Sequence, residues 1–376
     1  MKKICFITAV HGSAYSFLRD HMAVLRKEYQ VHYICNELDV NNIKVPNDSY
    51  HCISIQRQIS IINDLKALWQ LYKYFREERF DAVHSITPKA GILTAVASFF
   101  ARVPNRIHTY TGQVWANKTG VMRFILKSMD KLIAVLDNYL LVDGEGQRQF
   151  LINNRVLKEK KSRVLGSGSI CGVNLERFNP SDAVRTEKRG ELGISEDKIV
   201  FVFMGRLNRD KGLHELLAAF NSLATQRDDV YLLLFGSDEE NISSTFQNYS
   251  SLENKVNFQY YGRTPEPFNM LQAGDVFVLP TYREGFGSSV IEASALGLPV
   301  ICSDAYGVMD AMLDDETGLR CKVGDVNSLY NSMLKLAVDK DLRSLLGRNG
   351  RERVIKEFDG LYVTQAWVEF YHSLFY

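Results

Sequence analysis

Residues 276–304 constrain the fold more than any other stretch of the chain. Val276 to Leu279 is a short apolar run closed by Pro280, the pattern of a buried strand. A loop follows from Thr281 to Gly287, with Glu284 directly before Gly285-Phe286-Gly287. Ser288 and Ser289 are N-cap candidates for a helix over Val290 to Leu296, and Gly297-Leu298-Pro299 is its stop signal. Val300 to Cys302 reads as the next buried strand, ending at Ser303-Asp304. Strand, loop, helix and strand in this order form a unit of a parallel sheet, where ligands bind at the carboxyl ends of the strands.

The loop has its own chemistry. Gly285 and Gly287 let backbone N–H groups come close to a ligand, and the helix behind them offers its positive dipole end, a combination that suits a phosphate. Glu284 lies at the loop tip and Glu292 about one turn into the helix. Two acceptor-only carboxylates beside a phosphate repel it, so they suit hydroxyls instead. A sugar and a ribose flanking a diphosphate supply such hydroxyls. The plainer reading is a solvated loop Glu and a surface-helix Glu.

At 376 residues the chain is long enough for two domains of ordinary size. Its six cysteines (Cys5, Cys35, Cys52, Cys171, Cys302, Cys321) form no CxxC pair and have no histidines at ligand spacing, so they read as reduced core residues of a cytosolic protein. No apolar run approaches the roughly 20 residues that cross a bilayer. Lys2-Lys3 before Ile4–Val10 imitates a signal peptide, but the run is short and His11-Gly12-Ser13 ends it, so a first buried strand is expected. Charge is divided unevenly. Residues 1–165 carry a surplus of +10 and residues 166–376 a balance of −9, so the two halves meet different partners. Nucleic acid, an anionic membrane surface and an anionic substrate all suit the basic half.

The first half alternates strand-like and helix-like segments, among them strands at Ile4–Val10, Val31–Cys35, Ala82–His84, Arg106–Tyr110 and Tyr139–Asp143 and helices at Ser16–Glu28, Ile61–Glu78, Ala90–Ala101 and Met122–Leu136. Gly166-Ser167-Gly168, Asn174–Pro180 and the polar stretch Ser181–Asp197 break the rhythm and mark the connection between domains. A second alternation starts at Ile199–Met204 and includes a helix at Leu213–Thr225 and strands at Val230–Phe235 and Val256–Tyr260. This predicts an α/β chain of two doubly wound, Rossmann-like domains facing across a cleft, with residues 1–165 as the first and 166–359 as the second. The aromatic tail over 360–376 is expected to pack back on the first.

The second alternation opens with Phe203-Met204-Gly205-Arg206-Leu207-Asn208-Arg209-Asp210-Lys211-Gly212. Gly205 ends a strand and Lys211-Gly212 opens a helix, so Arg206 and Lys211 can converge on one anion from the strand end. A fork of donors and a mobile point charge together fit a diphosphate. Taken alone, the two cations also fit an ordinary charged surface.

Gly205-Arg206 with Lys211-Gly212, and Glu284-Gly285-Phe286-Gly287 with Glu292 and the ALGLPV run behind it, resemble the donor site of the retaining family 4 glycosyltransferases. The likeness extends to His84–Gly91 and to Val173–Pro180. It implies the GT-B fold and a nucleotide-sugar donor, with UDP as the nucleotide and no metal or other cofactor. In that family's pattern Arg206 and Lys211 hold the donor diphosphate, Glu284 accepts from sugar hydroxyls, and Glu292 binds the ribose. Gly285, Phe286 and Gly287 offer backbone N–H groups. Gly12, in the first β-α turn, approaches the phosphates from the other domain, and Tyr261-Gly262-Arg263 resembles the part that lines the base. Many relatives carry a His-Gly pair after the strand at Arg106–Tyr110. Here the pair is Thr111-Gly112, Thr111 cannot act as a base near neutral pH, and His108 is expected to be a packed strand residue.

For the acceptor side, Arg123, Lys127 and Lys131 form a basic stripe opposite Met122, Ile125, Leu126, Met129, Ile133 and Leu136. The stripe is either the solvated face of a core-packed helix or a contact for anionic lipid or a lipid diphosphate. Trp115 is a candidate to stack on a sugar or to sit at a membrane interface. The resemblance points to surface-polysaccharide enzymes that take a hexose or N-acetylhexosamine to a polyprenyl-diphosphate-linked saccharide, cytoplasmic or peripheral on the inner membrane face, without nucleic acid. Three other readings compete. They are a sugar-nucleotide epimerase of the same shape, a non-catalytic partner subunit, and an NAD-linked oxidoreductase, whose GxGxxG turn the chain lacks.

Overall fold

The computed structural model describes residues 1–56, 59–248 and 257–376. The chain divides into two units, Met1–Gly172 with Gly360–Tyr376, and Val173–Asp359. The division falls at Gly172/Val173 rather than at the expected 165/166.

The first unit is built on seven parallel strands, β1 (Lys3–Ile7), β2 (Gln30–Cys35), β3 (Ser49–Cys52), β4 (Ala82–Ile86), β5 (Asn105–Tyr110), β6 (Tyr139–Val142) and β7 (Ser162–Val164), in the order β3-β2-β1-β4-β5-β6-β7. The central strands are enclosed by apolar side chains on both faces, which is why they read as continuous apolar runs rather than alternating ones. The helix expected over Ser16–Glu28 is two shorter helices, His11–Phe17 and Arg19–Leu25, joined at Leu18. The aromatic tail is the Gly360–Phe375 helix of this unit. Its Trp367 ring lies 4.6 Å from the His21 ring and 5.0 Å from that of His84, stacked on both. Tyr371 and Thr364 hydrogen-bond the same two imidazoles at 2.7 and 2.9 Å. Burial holds His21 down at about 4, so the anchor is neutral at ordinary pH.

The second unit has six parallel strands, β8 (Ile199–Met204), β9 (Val230–Phe235), β10 (Phe258–Gly262), β11 (Val276–Leu279), β12 (Val300–Ser303) and β13 (Gly318–Cys321), in the order β10-β9-β8-β11-β12-β13. The strand expected at Val256–Tyr260 is β10, and Val256 itself lies outside the described residues.

Two local expectations need correction. The polar stretch 181–197 is not a connection but carries a helix of the second unit, Asp182–Leu192, with the Ser181 hydroxyl accepting from Val184 N at 3.4 Å. Its inward-facing residue is Arg189, fully buried, whose fork meets Asp275 at 2.7 Å and the Ala273 carbonyl at 3.1 Å. A charged residue stands where an apolar one normally marks the buried face, so the helix is hidden in the sequence. Removing Asp275 would leave the buried Arg189 charge without its close carboxylate, at about 3–5 kcal/mol, whereas Asp275 without Arg189 keeps Arg185 at 2.6 Å. The second correction concerns the helix after β11. It runs from Ser288 to Ala295 and is capped by Gly287 at φ 89°, with no side-chain cap from Ser288 or Ser289.

Candidate donor site

β8 and β11 are neighbours, and the chain leaves them toward opposite edges of the sheet, β8 to β9 and β11 to β12. This is the switch point of a doubly wound sheet, where a crevice opens beyond the strand ends. The two turns picked out in the sequence, 205–212 after β8 and 280–287 after β11, are the loops that flank it.

The turns interlock. Asp210 O accepts from Tyr282 N at 2.8 Å and from the Thr281 hydroxyl at 2.9 Å, and the Arg283 fork grips the Asp210 carboxylate at 2.6 and 2.9 Å. Asn208 caps the short turn Arg209–Lys211 by accepting from Lys211 N at 3.2 Å. Gly212 closes the turn at φ 70°, and a Cβ there would stand 2.0 Å from Pro280 O, so both its backbone angle and the neighbouring turn demand glycine. The result is an ion pair between Lys211 and Glu284, the two ends of the two sequence signatures.

Arg206 does not share the anion site with Lys211 as freely as the spacing suggested. Its Nη1 meets Glu239 Oε2 at 2.9 Å, and Asn208 Nδ2 reaches the same oxygen at 3.3 Å. Glu239 belongs to the loop after β9, which is threaded onto the 205–212 turn by Leu207 N to Ser237 O at 2.8 Å and Glu239 N to Leu207 O at 3.1 Å. The loop begins at Gly236, where a Cβ would fall 1.7 Å from Gly205 O. Gly236 and Glu239 were not read as site residues. Their signal was the Gly-Ser-Asp-Glu-Glu run directly after an apolar strand.

Glu292 lies one turn into the Ser288–Ala295 helix and is half-buried; desolvation pushes its carboxyl up to about 7, and the Arg177 guanidinium pulls in the other direction. Arg177 comes from the Val173–Pro180 segment, so that segment contributes charge to this site. The Phe286 side chain is buried and lies 5.3 Å from the Phe358 ring, which leaves only its backbone to meet a ligand. Gly285 is bracketed by Gly307, whose Cβ would approach Glu284 O to 2.1 Å. Arg263 is exposed just beyond β10, two strands from β8.

In the first unit Gly12 lies in the first turn of the His11–Phe17 helix, and a Cβ on it would meet nothing within 4 Å. Thr111 and Gly112 follow β5, where Thr111 O accepts from Gln147 Nε2 at 2.6 Å. His108 is buried, hydrogen-bonded to Ser85 at 2.8 Å, and held down at about 3 by its burial.

Trp115 cannot stack on a sugar or enter a membrane interface. It is 1% exposed, its indole N–H donates to Asp130 at 2.7 Å, and its ring stacks on Phe150 at 5.3 Å. The basic stripe is corrected with it. Arg123 and Lys127 lie over the Trp115 ring at 5.1 and 5.3 Å, Arg123 donates to Ala116 O at 2.8 Å, and Lys127 donates to Asn154 at 3.1 Å. They brace the loop before the Gly120–Leu136 helix, and of the three only Lys131 is exposed. Solvent instead meets an apolar row of Val121, Phe124, Leu132 and Val135, joined by Met122 and Ile125, which had been placed on the packed side. The physical reason is that an aromatic floor and a row of carbonyls can hold cations as readily as water does.

The chain resembles known proteins over nearly its whole length. Residues 184–353 match the family model described as glycosyl transferases group 1, and residues 3–135 the one described as glycosyl transferase 4-like. The chain is 32% identical over 374 residues to the capsular polysaccharide biosynthesis glycosyltransferase CapM of Staphylococcus aureus, covering 99% of this chain and 97% of that protein. It is 26% identical, over 91% of its length and 88% of the other's, to the UDP-Gal:α-D-GlcNAc-diphosphoundecaprenol α-1,3-galactosyltransferase of Escherichia coli. Among solved structures, Anabaena HepE in complex with UDP superimposes with a TM-score of 0.82 at 18% identity, over 99% of this chain and all of that one.

Proposed function

The chain belongs to the group 1, family 4-like glycosyltransferases with the GT-B fold, and from that premise we propose that it moves a hexose or N-acetylhexosamine from a UDP-sugar to a polyprenyl-diphosphate-linked saccharide, with retention at the anomeric carbon, in surface-polysaccharide assembly. The observation that carries this reading is the meeting of Lys211 with Glu284 at the switch point of the second unit, with Arg206 on the same turn as Lys211. The relatives support the substrate class: a capsular enzyme, and one whose donor is UDP-Gal and whose acceptor is a diphosphoundecaprenol-linked sugar.

In this mechanism Arg206 and Lys211 neutralise the diphosphate and the charge that grows on it as the glycosidic bond breaks, a fixed electrostatic contribution worth roughly 3–4 kcal/mol per well-placed donor. Glu292 holds the ribose hydroxyls, and Glu284 accepts from the sugar while anchoring Lys211. Backbone N–H groups of Gly285, Phe286 and Gly287 complete the cradle. Arg263 lies toward the base. Gly12, Thr111 and Gly112 are the first unit's proposed contacts to donor and acceptor. The departing phosphate itself takes the acceptor proton. Neutralisation by side-chain cations means that no metal ion is called for at the diphosphate.

A lipid-linked acceptor requires approach to a bilayer. Among the described residues no helix is long and apolar enough to cross one. The exposed apolar row of the Gly120–Leu136 helix, flanked by exposed Lys118 and Lys131, supports a peripheral seat on an anionic membrane surface.

The test is transfer by the purified protein from a panel of UDP-, GDP- and ADP-sugars to a diphospholipid-linked saccharide, with the product's anomeric configuration read by NMR. An α-linked product from an α-linked UDP-sugar is expected. An inverted product removes the retaining mechanism. Epimerised free donor in the absence of acceptor removes the transferase reading of the substrate and favours an epimerase.

A further inference from the structure

Both cations of the donor site are already occupied by carboxylates, and the two pairs differ in burial. Lys211 and Glu284 are 15% and 16% exposed, whereas Arg206 and Glu239 are 52% and 37% exposed. From this difference we infer that Glu239 is an exchangeable counter-ion: it holds Arg206 in the donor-free enzyme, gives way to the donor diphosphate, and returns to Arg206 as the nucleotide leaves. The inference rests on the reading of Arg206 and Lys211 as the diphosphate's cations.

Three features carry it. An ion pair as open to solvent as Arg206–Glu239 is weak, worth at most about fivefold in an equilibrium constant, so an anion of higher charge displaces it readily. A carboxylate that stayed on the guanidinium would stand beside the incoming phosphate and repel it. Glu284 is in the opposite position. Its pair with Lys211 is largely covered, parting them would leave a covered carboxylate without its counter-charge, and the ammonium has further N–H donors for a phosphate oxygen while keeping Glu284.

The loop is built so that the Glu239 side chain can move alone. Its backbone is fixed to the turn by Glu239 N to Leu207 O at 3.1 Å, and the Asp238 carboxylate accepts from Ile242 N and Ser243 N, each at 2.9 Å. Glu240 adds a hydrogen bond to Arg209 N at 3.0 Å. Departure of the carboxylate therefore breaks its contacts to Arg206 Nη1 and Asn208 Nδ2 and leaves these anchors in place.

The test is calorimetric titration of UDP into the protein and its Glu239→Gln, Arg206→Ala, Arg206→Ala/Glu239→Gln and Lys211→Ala variants, with melting curves to establish that each is folded. Gln keeps the shape of the side chain and removes the competing charge. The expected result is that Glu239→Gln binds UDP roughly two- to fivefold tighter than the parent, and that the same change does nothing when Arg206 is already alanine. Steady-state inhibition by UDP should tighten in parallel. Unchanged or weaker binding by Glu239→Gln overturns the exchange, as does an equal gain in the Arg206→Ala background, which would mark a general field effect. If Arg206→Ala and Lys211→Ala both bind UDP as the parent does, the donor-site reading itself has failed and takes the exchange with it.

Discussion

Lys211 and Glu284 are 73 positions apart in the sequence, and their side chains form an ion pair at the carboxyl ends of two adjacent strands. The pair joins the Gly-Arg…Lys turn to the Glu-Gly-Phe-Gly loop. In the proposed donor site, replacing Lys211 removes a cation from the diphosphate, and it breaks the ion pair of Glu284. Lys211→Ala is expected to lower kcat by about 10²–10³-fold while the protein still melts cooperatively. A transfer assay with saturating donor checks this, and near-parental turnover would contradict the assignment.

On the proposed ribose-binding role, Glu292 ties donor binding to pH. Its folded carboxyl titrates at about 7 because of burial, above the roughly 4.3 of an unfolded Glu. Ribose hydroxyls donate best to the ionised form, so donor affinity should rise from pH 6 to pH 8 in the parent and stay flat in Glu292→Gln. The sign for stability is the reverse. A carboxyl whose pKa is raised by folding contributes stability below about 4 that is lost as pH climbs through 7. Glu292→Gln should therefore melt above the parent at pH 8 and alongside it near pH 4, which calorimetric melts at the two pH values would show.

Gly236 and Gly212 hold the turns in contact. With their φ angles at 141° and 70° and Cβ positions 1.7 and 2.0 Å from a carbonyl oxygen, neither accepts a methyl group without backbone movement. Gly236→Ala is expected to cost more than about 2 kcal/mol and to weaken UDP binding as the Glu239 loop lifts from Leu207. Denaturant melts and titration of the same sample separate the two effects.

The Gly120–Leu136 helix supplies a membrane test that the sequence alone would have misdirected. Reversing Arg123 and Lys127 attacks the packing over Trp115, so it should lower the melting temperature whatever it does to lipid binding. Phe124→Ser with Val135→Ser alters only exposed apolar positions. These changes should reduce co-sedimentation with anionic liposomes and leave the melting temperature in place; unaltered sedimentation would contradict a membrane seat on this face.

Where sequence reasoning worked, and where it did not, follows from what each signal reports. Most strands of the two sheets were visible because buried parallel strands are continuous apolar runs, β3 was missed because Ser49-Tyr50-His51-Cys52 is no such run, and the turns 205–212 and 280–287 were visible because glycine and charge cluster there. The Asp182–Leu192 helix was missed because Arg189, a cation, occupies its buried face. Trp115 and the basic stripe were misplaced because residue type does not say whether a cation faces water or an indole. Glu239 was missed for a different reason. Its partner Arg206 is 33 positions away, and the pairing of β8 with β9 and the packing of the following loop on the 205–212 turn bring them together.

The measurement that bears most directly on the central claim is a crystal structure of the protein with UDP or a UDP-sugar bound. The account predicts a diphosphate within hydrogen-bonding distance of Arg206 and Lys211, the ribose on Glu292, and Glu239 withdrawn from the guanidinium. Nucleotide bound elsewhere, with Arg206 and Lys211 still held only by Glu239 and Glu284, would contradict it.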